Sequence, residues 1–409
     1  MEIRPIFSSL LRHHRVPSIL IMLEIALACA VLCNAMFMTF ERLTDINLPN
    51  AIDESGISII NIQGADPTKV NDDIPRNLSA LRELPGVKAV SVTNTVPVSR
   101  DGEYTAFSTK PGQDVNDKSN VITAEYLIAA NGEKALGLQL TQGRFFNEDE
   151  YAAGKLVGSF MPQGHAIIIT RSLAERMWHG QSVLGKVLYF GNQFSYTVVG
   201  VVENVLRPSR GGGGDDAIYY SSFLPIAPSD SSLQYYVVRS DPNDRQRIMR
   251  DGKEALARLS PGAVIDGQSF TDMRSEFFDD NRSLVWMLLL VCAVMVAVTA
   301  VGIVGLTNFW VGQRRKHIGV RRALGATRWH ILHYFQTENF ILSSAGVALG
   351  MGLAYGINMY LMQHYEMTRM PWLFLPGGAI ALWVTGQLAV LGPALRASFV
   401  PPVSAIRST

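Results

Sequence analysis

Residues 284–311 read LVWMLLLVCAVMVAVTAVGIVGLTNFWV, without one Asp, Glu, Lys or Arg. A helix rising 1.5 Å per residue needs about 20 apolar residues to cross ~30 Å of hydrocarbon, so this run is long enough to span a bilayer. Asn339 to Gln363 and Met370 to Leu395 are two more uncharged runs, and Val16 to Phe40 is a fourth, interrupted only by Glu24. The composition agrees: 48% of the 409 residues are hydrophobic and only 17% charged, more apolar than an average soluble domain.

The expected fold is therefore a membrane α-helical protein with four transmembrane helices, at 16–40, 284–311, 334–361 and 373–392. The first run follows Arg12, His13, His14 and Arg15 and could be a signal peptide. It is too long for a signal core and ends in bulky MFMTF rather than a small-residue cleavage site, so it reads as an uncleaved anchor.

Lys and Arg in short flanking segments stay on the cytoplasmic side. Arg4, Arg12 and Arg15 in the tail 1–15, the basic residues of 312–333, and Arg396 and Arg407 in the tail 393–409 are all expected inside, with 362–372 as a short outer loop. The region 41–283 then lies outside. From Leu43 to Ser283 it carries 23 Lys and Arg against 30 Asp and Glu, evenly mixed as on a soluble surface. Cys29, Cys33 and Cys292 fall in the spans, so this region must fold on its core without disulfides.

The outer region reads as one large extracytoplasmic α/β (α+β) domain inserted between the first and second spans. Ile57–Ile62, Asp72–Leu84 and Val87–Thr93 have strand, helix and strand patterns, and Leu233–Ser240, Asn243–Leu259 and Gly262–Gly267 repeat the order. Between these units, Ala166–Thr170, Ser172–Trp178 and Tyr196–Val205 suggest an inserted lobe of the same strand–helix–strand type. The run Gly211–Gly214 before Asp215 and Asp216 is a flexible connection or a loop tip. Phe270–Trp286 has no breaker and predicts a helix running straight into the second span, which with Phe40–Ile46 would make a stalk.

Directly after the opening run comes RRKHIGVRRALGATRWHIL, Arg314 to Leu332, with six Lys or Arg and no acid. Gln313 to Leu324 is helix-compatible, Gly325 is a stop, and Thr327 is an N-cap for the helix that re-enters the membrane. A short helix would lie along the inner surface with Arg321 and Arg322 exposed.

GVRRALGATRWHIL, followed by Glu338 and SSAGVALGMGLAYG, resembles the permease segment of the MacB/FtsX-like ABC transporters. LTQGRFFNEDE, AIIITRSLAERMW, SVLGKVLYF and TVVGVVENV are similar in order and spacing to the MacB-type periplasmic domain, and GPALRASFVPPVSAIRS is similar to the family's closing pattern. The resemblance implies that the basic segment is a coupling helix meeting an ATPase, through Arg314, Arg315, His317, Gly319, Arg321, Arg322, Leu324, Gly325 and Thr327. His317 stands where the family commonly has an acid before the Ile-Gly, which alters the detail of that contact.

No G-x-x-x-x-G-K-[ST] loop occurs in these residues. ATP and Mg would then bind a separate ABC ATPase subunit and no cofactor would bind this chain. Neither a G-x-S-x-G elbow nor an H-E-x-x-H pair is present, and His330 and His333 lack further ligands for a metal, so no enzyme active site is expected. Nothing points to nucleic acid. Glu24 and Glu338 lie toward the inner leaflet, where a buried acid faces the bundle interior; a proton relay is conceivable, against a structural pair with an inner-side Arg or His or a protonated acid in a hydrogen bond. Gly346 with Gly350, and Gly352 with Gly356, allow close helix approach.

The resemblance implies a permease in the inner (cytoplasmic) membrane, paired with a second permease, identical or paralogous, and driven by ATPases. It implies mechanotransmission to the periplasmic domain for efflux of a drug, peptide or similar compound, with a periplasmic adaptor and outer-membrane channel as further partners in two-membrane bacteria. A lipoprotein-extracting permease and an FtsX-like regulator of cell-wall hydrolases are the rival readings. Binding of anionic lipid by the basic segment explains its charge but not its Gly-Ala-Thr turn.

Overall fold

Glu24 and the glycines of the third apolar run find their places in a helical membrane unit. The computed structural model describes residues 15–64, 68–156, 161–209, 215–229, 232–365 and 369–399. The glycine run 211–214, Arg4 and Arg12 of the N-terminal tail and the closing pattern beyond residue 399 lie outside the described residues. The chain divides into a membrane unit, up to Asn47 and from Asp280 onward, and an outer unit, Leu48–Asp279.

The membrane unit contains α1 (Arg15–Ile46), α8 (Asp279–Gln313), α10 (Arg328–Tyr365) and α11 (Phe374–Ser398), the four helices long and apolar enough to cross a membrane among the described residues. The short α9 (Arg315–Ala323) joins α8 to α10. α1 is the buried member, with Ile21, Ile25, Ala28, Cys29 and Cys33 all but inaccessible. Small residues make that possible. A Cβ on Gly346 of α10 would lie 2.9 Å from Ile25 Cβ, one on Gly350 would lie 2.6 Å from Ala26 O, and one on Gly378 of α11 would strike Cys33 Sγ. Gly352 and Gly356 meet nothing in the chain within 4 Å, so the two expected glycine pairs have different surroundings.

The outer unit is built on a sheet whose described strands are β1 (Ile57–Gln63), β2 (Ala89–Thr93), β3 (Glu103–Phe107), β4 (Val121–Ile128), β5 (Leu140–Gly143), β6 (Ala166–Thr170), β7 (Val187–Phe190), β8 (Phe194–Val202), β9 (Ser221–Pro225), β10 (Tyr235–Arg239) and β11 (Val264–Ser269). Their order is β11-β1-β10-β2-β4-β9-β6-β8-β5, with β3 on β4 and β7 on β8. The two strand–helix–strand units thus interleave, β1 lying between β11 and β10, all antiparallel. The helices α2 (Val70–Arg82) and α6 (Arg245–Leu259) cover one face of this first lobe through Leu78, Leu81, Ile248 and Leu256, packed with Ile60 and Val238. Because alternate strand residues point to opposite faces, Ile59 and Val237 pack on the other side with α3 (Gly132–Leu136) and α7 (Phe270–Phe277).

The second lobe, with α4 (Glu148–Ala153) and α5 (Arg171–Trp178), continues the same sheet. β2 meets β4 at a single residue pair, Thr93 with Ile128. Beyond it Asn94 N still donates to Leu127 O at 3.3 Å, and the Asn94 side chain adds to the link: its Oδ1 accepts from Leu127 N at 2.8 Å and its Nδ2 donates to Glu125 O at 3.3 Å.

One expectation is corrected here. The predicted continuous helix from Phe270 to Trp286 is interrupted at Phe278, between α7 and α8. The Phe278 ring is buried at 1% exposure, and its N–H bonds back to Arg274 O and Ser275 O. Burying that ring ends α7 and restarts the chain at Asp279.

Candidate coupling segment

α8 ends at Gln313, Arg314 forms a turn, and α9 begins at Arg315, so Gln313 closes one helix rather than opening the next. The stop after α9 follows from Gly325, which has φ +97°, a backbone that an L side chain rarely adopts. Ala326 N donates to Arg321 O at 3.0 Å and Gly325 N to Arg322 O at 3.1 Å, the two bonds of a Schellman motif. Thr327 then caps α10, its Oγ1 accepting from His330 N at 3.3 Å. Gly-Ala-Thr is therefore a complete helix-to-helix connection with fixed geometry.

α9 has two faces. Ile318 and Gly319 are buried. Lys316, Val320 and Leu324, spaced four apart and so on one stripe, are exposed, Leu324 at 84%. Arg315 and Arg321 are exposed as well, whereas Arg322 is half-buried, contrary to the expectation of two exposed arginines. The side chain of His317 lies outside the described residues, and its backbone is helical. This outward surface is apolar at its centre and cationic around it.

Anchoring comes from the other side. Arg314 Nη1 donates to both carboxylate oxygens of Glu338, at 3.1 and 2.9 Å, and Glu338 is 2% exposed. Arg321 lies 5.1 Å from the centre of the Tyr334 ring, and Arg328 lies 4.3 Å from that of Phe399, both in cation–π range. Arg314 and Arg321 therefore fasten α9 and the turn before it to α10, and Arg328 links the start of α10 to the end of α11. Tyr334 and Phe399 were absent from the sequence reading, though Tyr334, one turn before Glu338, was its available signal.

Glu24 is placed elsewhere: its carboxylate lies against Gly302 of α8, where a Cβ would collide with it. Glu24 and Glu338 therefore do not share a site. His333 lies beside Trp329, ring centroids 4.4 Å apart and planes tilted by 54°, and among the described residues no group of His, Cys, Asp and Glu could hold a metal.

Comparison with known proteins matches residues 18–266 to the MacB-like periplasmic core domain and residues 289–402 to the FtsX-like permease C-terminal family. Among curated relatives, the "Macrolide export ATP-binding/permease protein MacB" of Marinobacter nauticus is 23% identical over 82% of this chain and 49% of its own. The "Uncharacterized ABC transporter permease YknZ" of Bacillus subtilis is 24% identical over 66% of each chain. This chain thus spans about half the length of the Marinobacter relative. The crystal structure of the periplasmic region of MacB from Actinobacillus actinomycetemcomitans aligns with 55% of this chain and 94% of its own, at 13% identity and a TM-score of 0.38.

Proposed function

The chain belongs to the MacB/FtsX-like ABC transporter permeases, multi-pass membrane proteins with a periplasmic domain, and we propose that α9 is the part an ATPase pushes. The observation that carries this reading is the combination of an exposed Lys316–Val320–Leu324 stripe along α9 with an entry turn tied to α10 by Arg314 and Glu338. A partner pressing on an unanchored helix would only bend it. Here the push reaches the spans, because α9 ends at rigid caps and Arg314, in the turn before it, is ion-paired to α10.

The ATPase, with its ATP and Mg, lies outside these 409 residues. Both termini and α9 face the cytoplasm, on the positive-inside rule. Two permeases and two ATPases form the working unit, the motion passes to the periplasmic domain, and the cargo is an exported drug, peptide or similar compound, handed to a periplasmic adaptor and outer-membrane channel. This chain supplies motion and no bond chemistry. A photo-crosslinking residue at Leu324 tests the reading: a covalent product with an ATP-binding protein is expected, and labelling of lipid alone would contradict it.

A further inference from the structure

The loop between β2 and β3 holds two non-glycine residues in left-handed conformations, Val98 at φ +58° and Arg100 at φ +71°. A β-branched residue there is an outlier that surrounding structure must enforce. Burial does so: Val96 and Val98, at 0% and 1% exposure, flank Pro97 and pack in the same core cluster as Phe270 and Met273 of α7. Backbone bonds add to it, Val98 N to Arg207 O at 3.1 Å and Arg100 N to Pro208 O at 2.9 Å. The enforced backbone lets Arg100 Nη2 donate to Glu276 O, 2.6 Å away in the last turn of α7. That carbonyl is among the last four of α7, which have no i+4 donor within the helix.

On another side of α7, Arg274 Nη1 pairs with Glu54 Oε1 at 2.5 Å and Nη2 donates to Leu48 O. Asn50 Nδ2 donates to the same Glu54 oxygen at 2.8 Å. Leu48–Glu54 is the stretch that follows α1, and α7 is the helix that precedes α8. One short helix therefore holds both chain connections to the membrane spans and is itself gripped by the loop that opens the second lobe.

We infer that α7 is a transmission latch: Arg274 ties together the exit of the first span and the entry to the second, and Arg100 passes any displacement of α7 to the second lobe. This rests on the mechanical reading above for its purpose, though not for its test. A shift of α7 must either break the Arg100–Glu276 bond or carry the stiff Val96–Arg100 loop, and with it Arg207 and Pro208, along.

Hydrogen–deuterium exchange on the full chain in detergent micelles tests the inference without any ATPase. Arg100→Ala should raise exchange in the last turn of α7, residues 274–278, by about tenfold, the scale of one charge-assisted hydrogen bond. Arg274→Ala should raise exchange at 48–54 and also in the loop 95–101. Arg274→Lys, which keeps the charge facing Glu54, should do the same to a smaller extent should the alanine variant fold poorly. Arg245→Ala is the control, because Arg245 Nη1 holds Ser55 O at 2.8 Å from α6 rather than α7, and it should leave the loop unchanged. If the Arg274 variants loosen only 48–54, or the Arg245 variant loosens the loop equally, α7 transmits nothing. That failure is distinct from failure of the coupling reading, which is read from an ATPase and its contact with α9 and not from exchange in the outer domain.

Discussion

Arg314 and Glu338, 24 residues apart, form a two-oxygen ion pair with side chains 14% and 2% exposed. It joins the turn before α9 to the first third of α10, so the basic segment cannot rotate on its own without breaking a buried charge pair.

Removing one partner of a buried pair strands the other charge and costs about 3–5 kcal/mol, whereas replacing both with apolar residues is close to neutral. Glu338→Leu should therefore lower the unfolding midpoint of the purified chain in detergent sharply, and Arg314→Met combined with Glu338→Leu should recover most of the loss. Equal midpoints for the single and double variants would show that the pair does not carry stability.

The two glycine pairs of α10 should separate by experiment. Gly350→Leu forces α1 off α10, since even a Cβ there lies 2.6 Å from Ala26 O, and should abolish accumulation of folded chain. Gly352→Leu meets nothing within the chain and should leave the monomer's unfolding midpoint unchanged. Any loss it causes in cross-linked dimer would place that glycine at a contact between permeases.

Glu125, on β4 inside the outer domain, is fully buried, and burial pushes its carboxyl up to about 8 despite the hydrogen bond from Thr105. The folded state thus holds a proton that the unfolded state releases near its ordinary carboxylate value. The associated stability is complete below that value and is lost as pH rises toward about 8, at about 1.4 kcal/mol per pH unit. Glu125→Gln should remove this slope, so the outer domain's unfolding midpoint in the full chain, followed from pH 5 to 8, should fall less than in the native chain. Parallel slopes would contradict the assignment.

Spans and strand–helix–strand units were legible because each announces itself locally, by an uncharged run or by a period of two or 3.6. Strand order was not: β1 pairs with β10 and β11, far along the chain from it, and nothing local encodes that. β4 was missed because Glu125 interrupts its apolar pattern, and β9 because Ser221, Ser222 and Pro225 look like loop residues. At the coupling segment the caps at Gly325 and Thr327 could be read from residue type, and an inner-side arginine was among the partners considered for Glu338. The break at Phe278 could not, since it depends on where one aromatic ring is buried.

The most direct test is affinity purification of the membrane complex in mild detergent, comparing the native chain with Arg321→Glu/Arg322→Glu. Reversing the charge of exposed Arg321 and half-buried Arg322 should release an ATPase that co-purifies with the native chain, while the permease remains folded. An ATPase retained by the folded variant, or absent from both preparations, would contradict the assignment of α9 as the element that receives the push.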